Sequence, residues 1–342
     1  MRSVAKAARV ATSTVSKALR DDPTISELRR YDIQQLARSM GYRPNPLVAA
    51  LMSQLHVRRR RNDPNHIAWI DLWPSERDAS RLPLLKPLFR GVLARARELG
   101  YGIEIHKVGR DRIAPDRLRQ ILLARSQWGL IIPPVPETAS RIALNMQGLT
   151  GVAVGTSLHE PVLHRVSPNL YQGSQLACTR LRELGFRRIA MVLSPFVNTR
   201  VEGRWLGAYL AEQVFWPKNE RLPPLLAYEN DDAKFRQWFQ RFRPDVILLS
   251  EPHVERWLST YYRKQRKSVQ TAWLLLETEE QNIQGIDYRG EKIGAAAVEK
   301  IVAQIHRNER GVPEIPNTLL VDGVWRNRSP ERNTRYAMRP GL

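Results

Sequence analysis

Thr12-Ser13-Thr14-Val15-Ser16-Lys17-Ala18-Leu19 is the stretch on which the reading of this chain turns. Val15, Ala18 and Leu19 fall at the i, i+3, i+4 spacing of one helix face. Thr12, Ser13, Ser16 and Lys17 are left on the outer faces. Small hydroxyl side chains with one cation, at the exposed start of a short helix, suit the reading of base edges in a major groove. Before this stretch lie Val4, Ala5, Ala8 and Val10; after it come Ile25, then Ile33, Leu36, Ala37 and Met40. These stripes predict three short helices around a miniature core. Asp22-Pro23-Thr24 is turn chemistry. Ser26 is placed to cap the third helix and Gly41 to stop it, with Arg29 and Arg30 near its start.

Further on, Asn45 is a good helix cap and Pro46 an ideal first helical residue, so a short helix begins there. Its Leu47, Val48, Leu51, Met52 and Leu55 are too apolar for a free linker. Two readings stand: an ordinary core helix, or a hinge that orders on DNA and drives an apolar wedge into the minor groove. Arg58 to Arg61 follow as a linker that either contacts phosphates or is simply solvated. Residues 1–62 hold 13 Lys and Arg against 4 Asp and Glu, in a chain of 342 residues with 54 basic and 34 acidic side chains. Almost half of the +20 excess therefore lies in the first fifth, which points to a polyanionic partner.

Val4-Ala5-x-x-Ala8-x-Val10-x-x-x-Thr14-Val15-Ser16-Lys17-Ala18-Leu19, Pro23-x-Ile25-Ser26 and Gly41-Tyr42-x-Pro44-Asn45 together resemble the DNA-binding head of lactose-repressor (LacI/GalR) family regulators. The resemblance implies a helix-turn-helix whose second helix enters the major groove, then a hinge helix whose leucine wedges the central minor groove. Carried over by position, Thr12, Ser13, Ser16, Lys17, Thr24 and Asn45 are the expected DNA contacts, and Leu51 the wedge. The family's Gly-Val-Ser turn is replaced here by Arg9-Val10-Ala11. Arg9 thus stands where positive φ is tolerated and Ala11 where a cap is expected. Thr12 is then the side chain placed to cap, one position later.

Over the remaining 280 residues, β-branched runs alternate with amphipathic stretches, as βαβ units and parallel sheets require. Strands are predicted at 67–72, 103–105, 129–132, 152–154, 189–193, 246–249 and 272–276, and helices at 84–99, 171–184, 201–214, 233–242 and 292–306. Arg97-Glu98-Leu99-Gly100-Tyr101 and Arg182-Glu183-Leu184-Gly185-Phe186 echo one another and fit two similar lobes. Leu184-Gly185-Phe186-Arg187-Arg188-Ile189, Arg204-x-x-Gly207 and Ile293-Gly294-Ala295-Ala296-Ala297-Val298 resemble later motifs of the same family. They imply a periplasmic-binding-protein-like α/β core of two lobes with parallel sheets, a ligand cleft between the lobes, and dimerisation along its side.

The expected division is a helix-turn-helix head over 1–44, a hinge and basic linker over 45–65, a two-lobed effector domain over 66–330 and a tail over 331–342. Lobe one takes about 66–165 and 290–315; lobe two takes about 166–289 and 316–330. By resemblance, Arg204 and Glu277 face the ligand, although the residues around Glu277 favour a salt bridge or a solvated pair, the family's Gly-Tyr/Phe-Asp-Asp segment being absent there. Asn169 fills a slot usually held by Asp. Trp73 and Trp205 either stack on a sugar ring or serve as plain core.

The chain carries no His-Glu-x-x-His, P-loop or Gly-x-Ser-x-Gly motif, so neither catalysis nor a cofactor is expected. Its one cysteine, Cys178, is expected to be buried and inert. No apolar run reaches the ~20 residues needed to span a bilayer, and the N-terminus from Met1 to Lys6 shows no apolar core followed by a small-residue cleavage site, so a cytoplasmic protein is expected. The resulting expectation is a transcription regulator, a repressor by resemblance, that binds palindromic double-stranded DNA as a homodimer and answers to a sugar-like effector. A cytoplasmic sugar-binding protein and a sugar-acting enzyme are its rivals. The basic head argues against the first, and the missing catalytic motifs argue against the second.

Overall fold

The computed structural model describes residues 2–19, 24–41, 65–79, 82–109, 112–136, 139–261, 269–276 and 283–327. Asn45, Leu51, Arg58 to Arg61 and Glu277 lie outside the described residues.

The head holds α1 (Arg2–Ala7), α2 (Thr12–Ala18) and α3 (Glu27–Ser39). Its core is Val4, Ala5, Val15, Ala18, Ile33 and Ala37, with Ala8, Val10 and Leu19 packed against it. That set follows the three apolar stripes, except that Ile25 and Leu36 are only half-buried outside it and Met40 lies beyond the end of α3 and is 44% exposed. Arg9 occupies the left-handed region at φ 51°, so the turn keeps the conformation of a glycine without having one. Thr12 does not cap: α2 begins at Thr12 behind Ala11, with no side-chain bond at that end. Ser26 stands at the cap position of α3, also without a side-chain bond. At the other end of α2, Gln34 donates to the Ala18 carbonyl at 2.9 Å.

Beyond residue 64 the chain builds two six-stranded sheets. The first contains β1 (Asn65–Asp71), β2 (Tyr101–Lys107), β3 (Gly129–Ile132), β4 (Thr150–Val154), β5 (His164–Pro168) and β11 (Thr318–Val321), in the order β2-β1-β3-β4-β5-β11 and parallel throughout. The second contains β6 (Ile189–Leu193), β7 (Leu225–Leu226), β8 (Val246–Leu249), β9 (Gln270–Trp273), β10 (Gly285–Asp287) and β12 (Val324–Arg326). Its order is β7-β6-β8-β9-β10-β12, and only β12 runs antiparallel. The first five strands of each order correspond in sequence order and direction, and only the sixth differs, β11 being parallel and β12 antiparallel. The strands β3, β4, β6 and β8 are buried along their whole length, as parallel strands covered on both faces must be.

Helices cover these sheets. They are α4 (Glu76–Ala79), α5 (Leu85–Glu98), α6 (Pro115–Ala124), α7 (Leu170–Glu183), α8 (Pro195–Arg200), α9 (Arg204–Gln213), α10 (Asp232–Phe242), α11 (His253–Tyr261) and α12 (Gly290–Arg307). The helices α5 and α12 pack backbone to backbone. A Cβ on Gly294 would lie 2.1 Å from the Leu88 carbonyl oxygen, and one on Gly91 2.0 Å from that of Glu291. This contact is the physical reason for glycine in the Ile293-Gly294 motif.

Two expectations need correction. Residues 316–330 do not all join lobe two, because Thr318–Val321 pairs with Arg165–Pro168 in the first sheet. The chain therefore crosses between the sheets three times, after β5, β10 and β11. The echo of Leu99-Gly100-Tyr101 with Leu184-Gly185-Phe186 does not relate equivalent strands: it precedes the outer β2 in one lobe and the inner β6 in the other. What the two sites share is a helix stop, with Gly100 at φ 79° and Gly185 at φ 93°.

Candidate nucleic-acid interface and inter-lobe cleft

On the head, Val15 and Ala18 point into the core while Thr12 and Ser13 are exposed and Ser16 and Lys17 partly so. The Lys17 ammonium donates to the Thr24 hydroxyl at 3.3 Å, which draws together two of the residues singled out by sequence. Arg29 is exposed on the first turn of α3, and Arg30 pairs with Glu27 at 3.8 Å. The result is a short helix that presents hydroxyls and a cation beside further arginines.

In the core, the carboxyl ends of both sheets face each other, the place where open parallel sheets bind ligands. Trp73, just after β1, is fixed by its indole donating to the Pro134 carbonyl at 2.8 Å and its backbone N–H donating to Asp71 at 3.0 Å. Arg112 donates to the carbonyls of Trp73 and Pro74, both at 2.8 Å. Across the cleft, the Arg200 guanidinium lies over the Trp73 ring, 5.8 Å from its centroid. The Thr156 hydroxyl reaches from lobe one to the Arg200 carbonyl at 2.8 Å.

Arg204 does not present an open guanidinium. Its Nε and Nη2 donate to Glu202 Oε2 at 3.1 and 2.5 Å. Arg165 donates to the carbonyls of Gly155 and Leu158. Burial pulls its pKa below the guanidinium range, with Arg204 adding to that shift and Glu202 opposing it. Trp205 is plain core: it is buried, and its indole donates to the Tyr288 hydroxyl at 3.0 Å. Asn169 caps α7 by accepting from the Gln172 N–H at 3.3 Å. Cys178 is buried, and burial pushes its thiol pKa up, away from reactivity.

Several residues at this edge carry no family motif. Ser194 caps α8, and its own N–H donates to Glu251 at 2.9 Å. Asn198 Oδ1, Ser250 Oγ, His253 Nε2 and Trp273 Nε1 are buried without a hydrogen-bond partner among the described residues. All follow or end strands β6, β8 and β9. His253 packs at a steep tilt against Trp257 with centroids 4.6 Å apart, and burial lowers its pKa against the opposing pull of Glu251 and Glu229. Ser194-Pro195, a cap and first-turn proline directly behind an apolar strand, was the one sequence signal for this edge. Among the described residues, no group of side chains could hold a metal ion and no helix is long and apolar enough to cross a membrane.

Comparison with known proteins agrees with this layout. Residues 1–45 match the family model described as bacterial regulatory proteins, lacI family. No curated relative matches the chain. Among solved structures, a transcriptional regulator CelR–cellobiose complex superposes with a TM-score of 0.54 at 18% identity, over 95% of this chain and 97% of that one. The lac repressor dimer bound to operator and the anti-inducer ONPF gives 0.51 at 16% identity, over 95% and 96%. The trehalose repressor from Escherichia coli gives 0.52 at 15% identity, over 77% and 100%. At such identities the likeness is one of fold. Residues 1–45 are thus similar to the head of lacI-family bacterial regulatory proteins, and the two-lobed core behind them has the fold seen in these repressors.

Proposed function

We propose that this protein is a transcription regulator that binds a palindromic operator as a homodimer, acts as a repressor, and changes its DNA affinity when a sugar-like effector enters the cleft between its lobes. The observation that carries the reading is α2, whose Thr12, Ser13, Ser16 and Lys17 stand clear of a core built on Val15 and Ala18. Thr12 as the first helical residue, not the cap, keeps its hydroxyl available to a base edge. Asn45 and Leu51 complete the DNA contacts, Leu51 as the minor-groove wedge. A two-fold dimer presents equal recognition helices to two half-sites, hence the palindrome.

The effector reading rests on the carboxyl-end edges, where an indole face, hydroxyls, an amide and charged groups converge. Hydroxyl-rich rings are held by that mixture of a stacking face and oriented polar groups. Arg204, Glu277 and Trp73 are its ligand contacts, and Arg204 must exchange Glu202 for the ligand. The cellobiose complex and the operator-bound lac repressor dimer share this fold, which supports both halves of the reading.

Selection of bound DNA from a random pool, with and without metabolite mixtures, tests it. The expected product is a dyad sequence whose recovery changes with a sugar-containing mixture. Selected DNA lacking a dyad overturns the dimeric operator reading.

A further inference from the structure

We infer that Arg200 is a latch, closing the cleft from inside by occupying the face of Trp73 that a sugar ring would stack on. The inference deepens the proposed function, since it rests on the cleft being the effector site. Arg200 ends α8 in the second lobe, yet both its side chain and its backbone engage the first. The guanidinium lies 5.8 Å from the Trp73 ring centroid, and the carbonyl accepts from the Thr156 hydroxyl at 2.8 Å. Thr156 is buried, so that hydrogen bond is partly shielded from water.

Local backbone geometry aims the residue. Glu202 and Gly203 are consecutive left-handed residues, at φ 54° and 65°, and turn the chain sharply between α8 and α9. Arg204 is left folded back on Glu202 while Arg200 points across the cleft. Trp73 cannot follow a retreating partner, because its indole N–H, its backbone N–H and its carbonyl are each bound within the first lobe. Lobe separation therefore breaks the cation–π contact and the Thr156 hydrogen bond together.

A ring that stacks on Trp73 must displace the guanidinium, which then faces the ring hydroxyls as a donor. Ligand binding and release of the latch are one event. A cyclic polyol thus acquires different affinities for the closed and open arrangements, as any effector of DNA affinity must.

The test needs no ligand. Donor and acceptor dyes on Glu76→Cys and Asn230→Cys report the lobe separation in the full-length chain, Cys178 being buried and unlabelled. Wild type is expected to be mostly closed. Arg200→Ala and Trp73→Leu are expected to raise the open-to-closed ratio about three- to tenfold, the scale of losing one half-buried cation–π contact. Thr156→Val and Arg200→Lys should fall between, and they carry the test if the larger substitutions fail to fold. An identical distance distribution in wild type and Arg200→Ala, or a wild type already open, overturns the latch. Operator selection on the same proteins is a separate readout: DNA binding with an indifferent lobe distance removes the latch alone, and absent DNA binding removes the regulatory reading.

Discussion

The side-chain amide of Asn169 donates to the Asp322 carboxylate at 2.7 Å and so ties the first crossover between the lobes to the third. The backbone of Asn169 adds an N–H bond to the Val321 carbonyl at 2.8 Å, and Gln172 accepts from the Gly323 N–H at 3.1 Å. These crossovers thus form a small hydrogen-bonded sheaf in which residue 169 must be a donor toward residue 322. An aspartate, usual at this position by family resemblance, would meet Asp322 charge to charge.

Asn169→Asp is therefore expected to destabilise the chain by about 1–2 kcal/mol at neutral pH, through a lost hydrogen bond and a like-charge contact. Urea unfolding at low and high salt checks it. The loss should shrink with salt because Asp322 is exposed, and Asp322→Asn in the same chain should recover most of it.

Arg9 holds φ 51° at a cost that glycine escapes. Arg9→Gly is expected to stabilise the turn between α1 and α2 by about 1 kcal/mol. Amide exchange protection of Val15 and Ala18 in the full chain should rise about fivefold. Unchanged or lower protection would show that Arg9 contributes a compensating contact.

Lys17→Ala should weaken operator binding. If the ammonium leaves Thr24 for a guanine, specificity relaxes at one position per half-site by about 1–3 kcal/mol. Binding measured across single-base operator variants separates the cases. A uniform loss with a flatter salt dependence assigns Lys17 to a phosphate instead.

His253 predicts an acid limb. Its folded pKa lies below the ordinary histidine value, because burial penalises the imidazolium more than Glu251 and Glu229 favour it and Arg256 adds to the penalty. The folded state thus binds the proton less well than the unfolded one. Stability from this group is full above about pH 6.5 and declines as pH falls from there through the folded pKa. His164 and His306 are lowered in the same sense, burial again the first cause, and add to the limb. In His253→Gln, the fall in urea midpoint between pH 7 and pH 5 should be shallower than in wild type.

The apolar periodicity of residues 4–37 determined the head by itself, because a core this small is made from near-sequence helices. Alternating β-branched runs likewise determined the strands 129–132, 189–193 and 246–249 to the residue, whereas the equally buried β4, expected at 152–154, begins two residues earlier because Thr150 and Gly151 carry no apolar signal. Apolarity alone misplaced the strand expected at 272–276. It spans Gln270–Trp273, after which Leu274 and Leu276 are buried outside the strand. Burial does not specify extended pairing. Which residues share the cleft was decided only in three dimensions. Arg204 matched its motif and yet folds onto Glu202, while Arg200, four residues earlier and without a motif, crosses to Trp73. Two consecutive left-handed residues make that exchange, and their effect depends on where the opposite lobe stands. Sequence spacing records neighbours along one helix or strand; the meeting of Asn169 with Asp322, or of Arg200 with Trp73, requires a chain that has crossed between its sheets.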